Sequence, residues 1–509
     1  MKDTYDVVII GSGLGGLVAA NILAKEGYSV CVLEKNQQFG GNLQTFSRDK
    51  VIFDTGVHYI GGLSEGENLY RYFNYLGIMH HLKLYPMDSE GFDVVTFDND
   101  SNEYAYAQGY QGFKKSILEK FPNEEWAITS YLEKLRSVCD SFPLYNLESN
   151  QQYDLDVFRL GAKNFLDSLT ENEKLKAVLS ATNILYAGDG QTPFYVHALS
   201  VNSYIQSAYR CIHGGSQITK LLLKKLKQLG GEAYKRHEVL SFSVAEGQIT
   251  SVKTKSGKDF KGKVFISNIE PKHTISMVGE EHFRNSFASR IKNIPNTIAP
   301  FSIYIVLRPG TFPYLNKNYY HWKDEKSPWQ ALDYTEENWP LGYMVSMGVE
   351  KNQGYYGETL AGLTYMRFEE VEPWADSFNT VANKNERGQS YEDFKKAKTD
   401  RFIEAMEQRF PNLRSCIKSV YASTPLSYRD YIGSHRGSMY GYAKDIDNPM
   451  KAILSPKTKI PNLYFTGQSL NMHGVLGVTI GAVNTCSEIL GREYLLKKIV
   501  DSENALINS

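Results

Sequence analysis

A glycine-rich segment near the start of the chain, Gly11-Ser-Gly-Leu-Gly-Gly16, has the spacing of a dinucleotide-binding turn. Gly11 permits the tight turn, Gly13 lets the backbone approach a pyrophosphate, and Gly16 allows the following helix to pack closely on the preceding strand. The helix start would direct its amide groups at the phosphate. Glu34 ends the next apolar run, where a carboxylate can accept both hydroxyls of an adenosine ribose. These residues predict a dinucleotide site; a glycine-rich turn without a ligand is the alternative.

The elements that must position these residues form a strand–helix–strand unit. Apolar runs over 5–10 and 28–33 predict the two strands, and residues 17–25 predict the helix between them. A second unit lies at 213–229, where a helix is predicted over 217–229 with Ser216 as its N-cap. The lysines at 220, 224, 225 and 227 are expected on the solvent face of this helix. A contact of these lysines with anionic lipid headgroups is the alternative.

The rest of the chain alternates between helical and strand patterns. Residues 111–205 are predicted to be mainly helical, with amphipathic segments over 126–139 and 158–185, and a further helix is predicted over 391–410. Strands are predicted over 238–244, 249–254, 263–267, 301–307 and 343–347, and the chain closes with a strand at 463–467 and a helix near 480–490. Nucleotide-binding features therefore occur at the start, middle and end. They predict one nucleotide domain built from three pieces, with a second domain inserted between them.

The composition is that of an ordinary globular protein and excludes several classes. A net charge of −1 does not favour nucleic acid as a partner. The five cysteines are scattered without a CxxC pair, so we expect a reducing cytoplasm and predict no metal site. No basic segment precedes the first apolar run, and no ~18-residue apolar stretch occurs, so we expect neither a signal peptide nor a membrane-spanning helix.

The aromatic content is less ordinary, with 35 Tyr and 25 Phe, many of them between residues 298 and 445. One interpretation is an aromatic-lined cavity for a flat, apolar ligand. The other is a compositional preference for tyrosine on surfaces and in turns.

Several motifs together resemble a known family. They are the Gly11–Gly16 turn, Glu34, Gly40-Gly41, Phe53-Asp-Thr-Gly-Val-His-Tyr59, His213-Gly-Gly-Ser216 and the closing segment from Thr466-Gly467 to Gly477. Their order resembles the phytoene desaturase-like flavoproteins, and the Phe53–Tyr59 and His473–Gly477 segments are most similar to the retinol saturase and carotenoid isomerase branch. The resemblance covers nearly the whole chain. It implies an α/β fold with a Rossmann-like FAD-binding domain of the amine-oxidase type and an inserted α+β substrate domain.

The resemblance divides the chain into five parts and implies the residues that hold FAD. The FAD-binding segments are 1–95, 209–292 and 423–509, and the substrate domain comprises the mainly helical 96–208 together with 293–422. The implied cofactor-binding residues are Gly11, Ser12, Gly13, Gly15, Gly16, Glu34, Lys35, Gly40, Gly41, Asn42, Gly56, Val239, Gly467, Gln468, Gly474 and Val475. Gln468 departs from the family, which usually has an acidic residue there to accept a ribityl hydroxyl. An amide oxygen can still accept that hydrogen bond.

The implied catalytic residues are His58, Tyr59 and His473. Either histidine could orient the substrate or deliver a proton, and a purely structural hydrogen bond is the alternative for both. The segments 424–431 and 437–441 also match the family. They are expected to form the wall between substrate and flavin, or else a structural crossover between the domains.

The implied activity is that of an FAD-dependent oxidoreductase on C=C bonds of an apolar polyene of the retinoid or carotenoid type. Saturation by hydride transfer from reduced flavin plus protonation is favoured, with desaturation and cis–trans isomerisation left open. A flavin amine oxidase and a non-enzymatic prenyl-binding protein are the remaining alternatives. Because the chain carries one dinucleotide fingerprint, NAD(P)H would bind only transiently as reductant, or a protein would donate the electrons. An apolar substrate also suggests peripheral attachment to a membrane through an amphipathic face.

Overall fold

The computed structural model describes residues 2, 4–149, 155–349 and 354–507. Its strands are β1 Thr4–Ile10, β2 Val30–Leu33, β3 Thr45–Arg48, β4 Val51–Asp54, β5 Ile60–Gly61, β6 Leu84–Pro86, β7 Asp93–Phe97, β8 Asp100–Tyr106, β9 Ala208–Cys211, β10 Glu232–Tyr234, β11 Val239–Ala245, β12 Gln248–Thr254, β13 Asp259–Ser267, β14 Ala299–Leu307, β15 Asn318–Trp322, β16 Gly342–Ser346, β17 Thr359–Met366, β18 Ile417–Ser423 and β19 Leu463–Phe465.

The α-helices are distributed unevenly among these strands, and in the described part of the chain five of them follow one another between β8 and β9. They are α1 Leu14–Lys25, α2 Asn68–Tyr75, α3 Tyr110–Leu118, α4 Glu125–Asp140, α5 Ala162–Leu169, α6 Glu173–Ser180, α7 Phe194–Gln206, α8 Ser216–Gln228, α9 Pro271–Val278, α10 Asn285–Lys292, α11 Ser327–Gln330, α12 Gln389–Arg409, α13 Leu413–Cys416, α14 Pro425–Ile432, α15 Gly474–Leu490 and α16 Arg492–Ile507. A 3₁₀ segment, Ala181–Leu185, precedes α7 and lies beside the site described below.

The first seven-stranded sheet is built from three separated parts of the chain. Its order is β10-β2-β1-β13-β12-β11, and β19 also pairs with β13. The strands β10, β2, β1, β13 and β19 run parallel, whereas β11 and β12 are antiparallel additions. The helices α1 and α15 pack against each other on this sheet. Because parallel strands end at the same edge, the loops after β1, β13 and β19 meet there, as in other open α/β sheets that bind ligands.

The second seven-stranded sheet, in the order β18-β14-β17-β16-β15-β7-β8, is antiparallel except for the parallel pair β7 and β15. Its inner strands are almost entirely buried, whereas the edge strands β8 and β18 are partly exposed. The helices α3 to α7 contribute to the same apolar core. These two sheets confirm the predicted fold class, a Rossmann-like domain with an inserted α+β domain. The predicted boundary at 95/96 falls inside β7, and that at 422/423 falls at the last residue of β18. The five-part division otherwise stays a prediction.

Most predicted elements are present, with two corrections. The predicted helix over 158–185 is broken into α5, α6 and 3₁₀ segments on either side. Ser216 is not the N-cap of α8, which begins at Ser216 itself after Gly215. Instead, the carboxylate of Asp54 accepts the amide hydrogen of Gly215 at 2.7 Å. Burial raises the pKa of Asp54 to about 7.

Asp54→Ala is expected to lower the free energy of unfolding by about 1–3 kcal/mol, since it leaves the buried amide of Gly215 without its acceptor. Denaturant unfolding of the two proteins measures the difference. Asp54→Asn, which keeps an acceptor oxygen, is the matched control and should remain near the wild-type value. Equal stabilities of wild type and Asp54→Ala would contradict this role.

Candidate active site

A continuous cavity of about 610 Å³ lies between the two sheets. One side is lined by the loops at the carboxyl edge of the first sheet, including Gly11–Gly15, Asn268 and Thr466–Ser469. The other side is lined by apolar side chains of the second sheet: Pro300 on β14, Met344 on β16 and Leu363 on β17. The cavity therefore joins a nucleotide-binding edge to an apolar wall.

The glycines at this edge form a cradle in which backbone atoms from separated segments lie close together. A Cβ atom on Gly41 would lie 3.2 Å from the Cα of Gly13, and one on Gly15 would lie 3.1 Å from the amide nitrogen of Gly467. Three segments that are distant in sequence, at residues 11–16, 40–41 and 467, thus come together through backbone atoms. Such a surface fits a pyrophosphate, which needs backbone amides within reach at a helix start. The residues present therefore fit a dinucleotide such as FAD.

Glu34 lies in the wall of this cavity and is only 5% exposed. One carboxylate oxygen accepts from the amide of Ser12 at 3.1 Å, and the other accepts from the amide of Asn36 at 2.8 Å. The first oxygen also accepts from the hydroxyl of Ser12, so it is the second oxygen that retains capacity for a ribose hydroxyl.

Of the predicted site residues, all except Gly16 line the cavity. Gly16 lies behind the loop, where a Cβ atom would overlap the carbonyl oxygen of Gly11. This position agrees with the packing role predicted for it. Burial lowers the pKa of Lys35, whose ammonium lies 3.3 Å from the carbonyl oxygen of Asp430. Gln468 accepts a hydrogen bond from the side-chain amide of Asn42 at 3.3 Å, so these two residues lie together.

Asn268 belongs to the cradle but was not predicted. Its side-chain amide donates to the carbonyl oxygen of Gly11 at 3.2 Å, and it lies directly beside Gly13 and Gly15. The available signal was its place immediately after β13, because residues that follow parallel strands gather at the ligand-binding edge.

His58 lines the cavity, and burial together with the charge of Arg210 lowers its pKa to about 4. Its Nε2 atom is buried without a hydrogen-bond partner among the described residues. His58 is therefore a neutral imidazole at neutral pH. A neutral imidazole can orient a ligand through its remaining N–H, but it lacks the acidic proton of an imidazolium ion.

His473 is also neutral, since burial lowers its pKa to about 4. Its Nε2–H donates to the carbonyl oxygen of Leu185 at 2.9 Å, and its ring packs on Tyr440 with centroids 4.3 Å apart. Tyr440 in turn donates to the carbonyl oxygen of Ile184 at 2.9 Å. His473 immediately precedes α15, so these contacts tie the start of that helix to the 3₁₀ segment in the cavity wall.

Some aromatic residues between 298 and 445 fit the interpretation of a ligand cavity, whereas others lie in the core and fit neither interpretation. Tyr428, Tyr431 and Tyr440 line the cavity, consistent with an aromatic-lined ligand site. Others, such as Trp322 and Trp339, are buried in the core of the second sheet. The segments 424–431 and 437–441 both contribute residues to the cavity wall.

Comparison with known proteins agrees with this architecture. Residues 9–76 match the NAD(P)-binding Rossmann-like domain family. The chain is 30% identical to all-trans-retinol 13,14-reductase from Rattus norvegicus, covering 97% of this chain and 86% of the relative. It is 24% identical to the chloroplastic prolycopene isomerase of Daucus carota, covering 94% of this chain and 79% of the relative. The solved structure of cyclohexylamine oxidase from Brevibacterium oxydans has a TM-score of 0.60 at 15% identity, with 99% of each chain covered.

The fold and the cavity define a Rossmann-like dinucleotide-binding protein of the amine-oxidase architecture. Within that class, the chain belongs to the all-trans-retinol 13,14-reductase family. Membership confirms the resemblance to the retinol saturase and carotenoid isomerase branch. None of the helices in the described ranges is long and apolar enough to span a bilayer.

Proposed function

We propose that this protein is an FAD-dependent oxidoreductase that saturates a C=C bond of an apolar polyene of the retinoid or carotenoid type. The observation that carries the proposal is the single cavity that joins a glycine cradle to an apolar wall. The relatives named all-trans-retinol 13,14-reductase and prolycopene isomerase support a polyene as the substrate.

Each part of the cavity has a role in this proposal. The backbone around Gly11, Gly13 and Gly41 would hold the pyrophosphate, and Glu34 would hold the adenosine ribose. Asn42 and Gln468, which lie together, would meet the ribityl end. FAD, when bound, would supply the hydride equivalent that the substrate accepts. Pro300, Met344 and Leu363 would hold the polyene and exclude water from it.

Two tests separate this function from its alternatives. Protein reduced anaerobically should return to the oxidised yellow form when all-trans-retinol or lycopene is added. Rapid peroxide formation with primary amines in air, without reoxidation by polyenes, would instead indicate an amine oxidase. Purified protein that holds no flavin, even after FAD is supplied, would indicate a prenyl-binding protein. Either result would overturn the proposal.

His58 would orient the polyene rather than protonate it, because its pKa of about 4 leaves it neutral from pH 5 to 8. With all-trans-retinol, whose hydroxyl can hydrogen-bond to His58, His58→Gln is expected to lower kcat/KM by about 2–13-fold, the equivalent of a hydrogen bond of about 0.5–1.5 kcal/mol. The shape of the pH profile between pH 5 and 8 should not change. Steady-state kinetics across this range are the measurement, and loss of an ionisation from the profile would contradict the assignment.

The reductant and the membrane contact are separate parts of the proposal. NAD(P)H would bind transiently, or an electron-donor protein would reduce the flavin. The exposed lysines 220, 224 and 227 on α8 offer a cationic face for peripheral contact with anionic lipid. Flotation of the full chain with anionic and with neutral vesicles tests this contact. Failure to float with either kind of vesicle would contradict peripheral membrane binding.

A further inference from the structure

A buried polar cluster lies directly behind the cavity wall. Tyr59 lines the cavity, and its hydroxyl oxygen lies 2.8 Å from Oδ2 of Asp93 and 2.8 Å from the hydroxyl of Tyr320. The Tyr59 ring stacks on Tyr204 with centroids 4.2 Å apart at an interplanar angle of 26°, which fixes the phenol in place. Asp93 is 1% exposed, so protein groups surround it. The cluster thus connects one cavity residue to one enclosed carboxyl group.

The two carboxyl oxygens of Asp93 have different partners. Oδ1 accepts from the side-chain amide of Asn318 at 2.9 Å, because Asp93 and Asn318 are register partners on the parallel strands β7 and β15. Asn318 keeps this orientation since its own oxygen accepts from Arg210 at 3.0 Å. A carboxyl oxygen that accepts an amide hydrogen bond is not readily protonated, because its own proton would lie against the amide hydrogen. A proton on Asp93 therefore belongs on Oδ2, the oxygen beside Tyr59.

The surroundings of Asp93 bring its protonation into the neutral range. Burial raises its pKa to about 7, while the hydrogen bonds from Asn318 and Tyr59 and the charge of Arg210 oppose the rise. The titratable and charged groups that face it are Tyr59, Tyr106, Tyr204, Arg210 and Tyr320. Burial raises the pKa of these tyrosines above the usual value, so they remain phenols.

We propose that Asp93 supplies the proton for saturation through the hydroxyl of Tyr59, an inference that rests on the proposed function. One carbon of the C=C bond would receive the hydride that reduced FAD supplies, which would leave FAD oxidised. The π electrons form the second C–H bond with the proton of the Tyr59 hydroxyl. The proton on Oδ2 of Asp93 moves to the Tyr59 oxygen, so Asp93 ends as the carboxylate. Tyr59 would deliver the proton to the substrate from the cavity wall, and Asp93 would act through it.

The decisive variant is Asp93→Asn, which keeps the shape of the side chain but holds no acidic proton. Flavin reoxidation by all-trans-retinol should slow about 100-fold or more, because general acid catalysis typically raises a reaction rate by at least about that factor. In the wild type, the rate should fall as the pH rises through about 7, and this alkaline limb should vanish in Asp93→Asn. Tyr59→Phe should slow the same step comparably. Tyr320→Phe, the control, leaves the contact between Tyr59 and Asp93 in place and should stay within about tenfold of wild type.

Infrared spectroscopy tests the protonation of Asp93 independently of enzyme turnover. Asp54 and Asp93 both have a pKa of about 7, so the flavin-loaded wild type should show infrared absorption from two protonated carboxyl groups that titrate in this range, and Asp93→Asn should lose one of the two. If the wild type saturates polyenes while Asp93→Asn keeps its rate and its alkaline limb, the proton pathway is wrong and the proposed function stands. If the wild type does not saturate polyenes, the proposed function fails, whatever the infrared band shows.

Discussion

Gly15→Ala is expected to abolish stable flavin binding and to give a colourless purified protein. The new Cβ atom would lie 2.7 Å from Oδ1 of Asn268 and 3.1 Å from the backbone nitrogen of Gly467. The amide of Asn268 could turn aside, but the backbone of Gly467 is fixed by the closing strand and cannot move without opening the cradle. We expect the affinity for FAD to fall by at least about tenfold, or about 1.4 kcal/mol. Fluorescence titration of the apoprotein with FAD measures it.

Gly481→Ala is the matched control, since Gly481 lies in α15 of the same domain and a Cβ atom there meets no atom within 4 Å. It should bind FAD as the wild type does. Thermal unfolding of both apoproteins shows why Gly15→Ala loses FAD. An unchanged Tm means that the new methyl group blocks the cradle, and a lowered Tm means that the fold is destabilised. Tight FAD binding by Gly15→Ala would contradict the assignment of this junction to the cofactor.

Leu363→Asn is expected to reduce turnover of an apolar polyene strongly while leaving flavin binding intact. Leu363 is 7% exposed and lies in the cavity wall on β17, away from the cradle. Losing its apolar contact costs about 1.5–3 kcal/mol, so kcat/KM should fall by about 10–100-fold, mainly through KM. Steady-state kinetics at known flavin content give this value.

Leu363→Met keeps an apolar side chain of similar size and should retain most of the activity. A variant that loses flavin together with activity would show that Leu363 acts through the fold. Unchanged kinetics in Leu363→Asn would show that the polyene lies elsewhere.

The parts of the site that follow one another along the chain were predictable from sequence. The Gly11–Gly16 turn and Glu34 lie within one strand–helix–strand unit, so their spacing alone determines how they meet. The closing residues Gly467 and Gln468 were placed by the resemblance. Apart from Gly16, which lies behind the turn, the residues of both groups lie in the cavity wall.

The residues that the sequence did not reveal depend on contacts between distant segments. Asp93 is a single acidic residue at the start of a strand, and its significance appears only when Tyr59, Asn318 and Arg210 come together from three other segments. The N-terminus of α8 also depends on a residue that is distant in sequence. Ser216 satisfies the local capping rule, yet Asp54 provides the acceptor from across the domain.

The protonation state of the histidines was also not predictable from the sequence, since their residue type alone suggests proton transfer near neutral pH. Burial lowers the pKa of both His58 and His473 to about 4, so neither carries the acidic imidazolium proton at neutral pH. Burial depends on the whole fold, so the spacing of residues cannot report it.

The mass of the product formed from a polyene by the anaerobically reduced, flavin-loaded protein tests the central claim most directly. We expect all-trans-retinol or lycopene to gain two hydrogens as the flavin returns to its oxidised form. An unchanged mass with altered double-bond geometry, or a polyene that remains intact beside flavin that stays reduced, would contradict the assignment as a saturase.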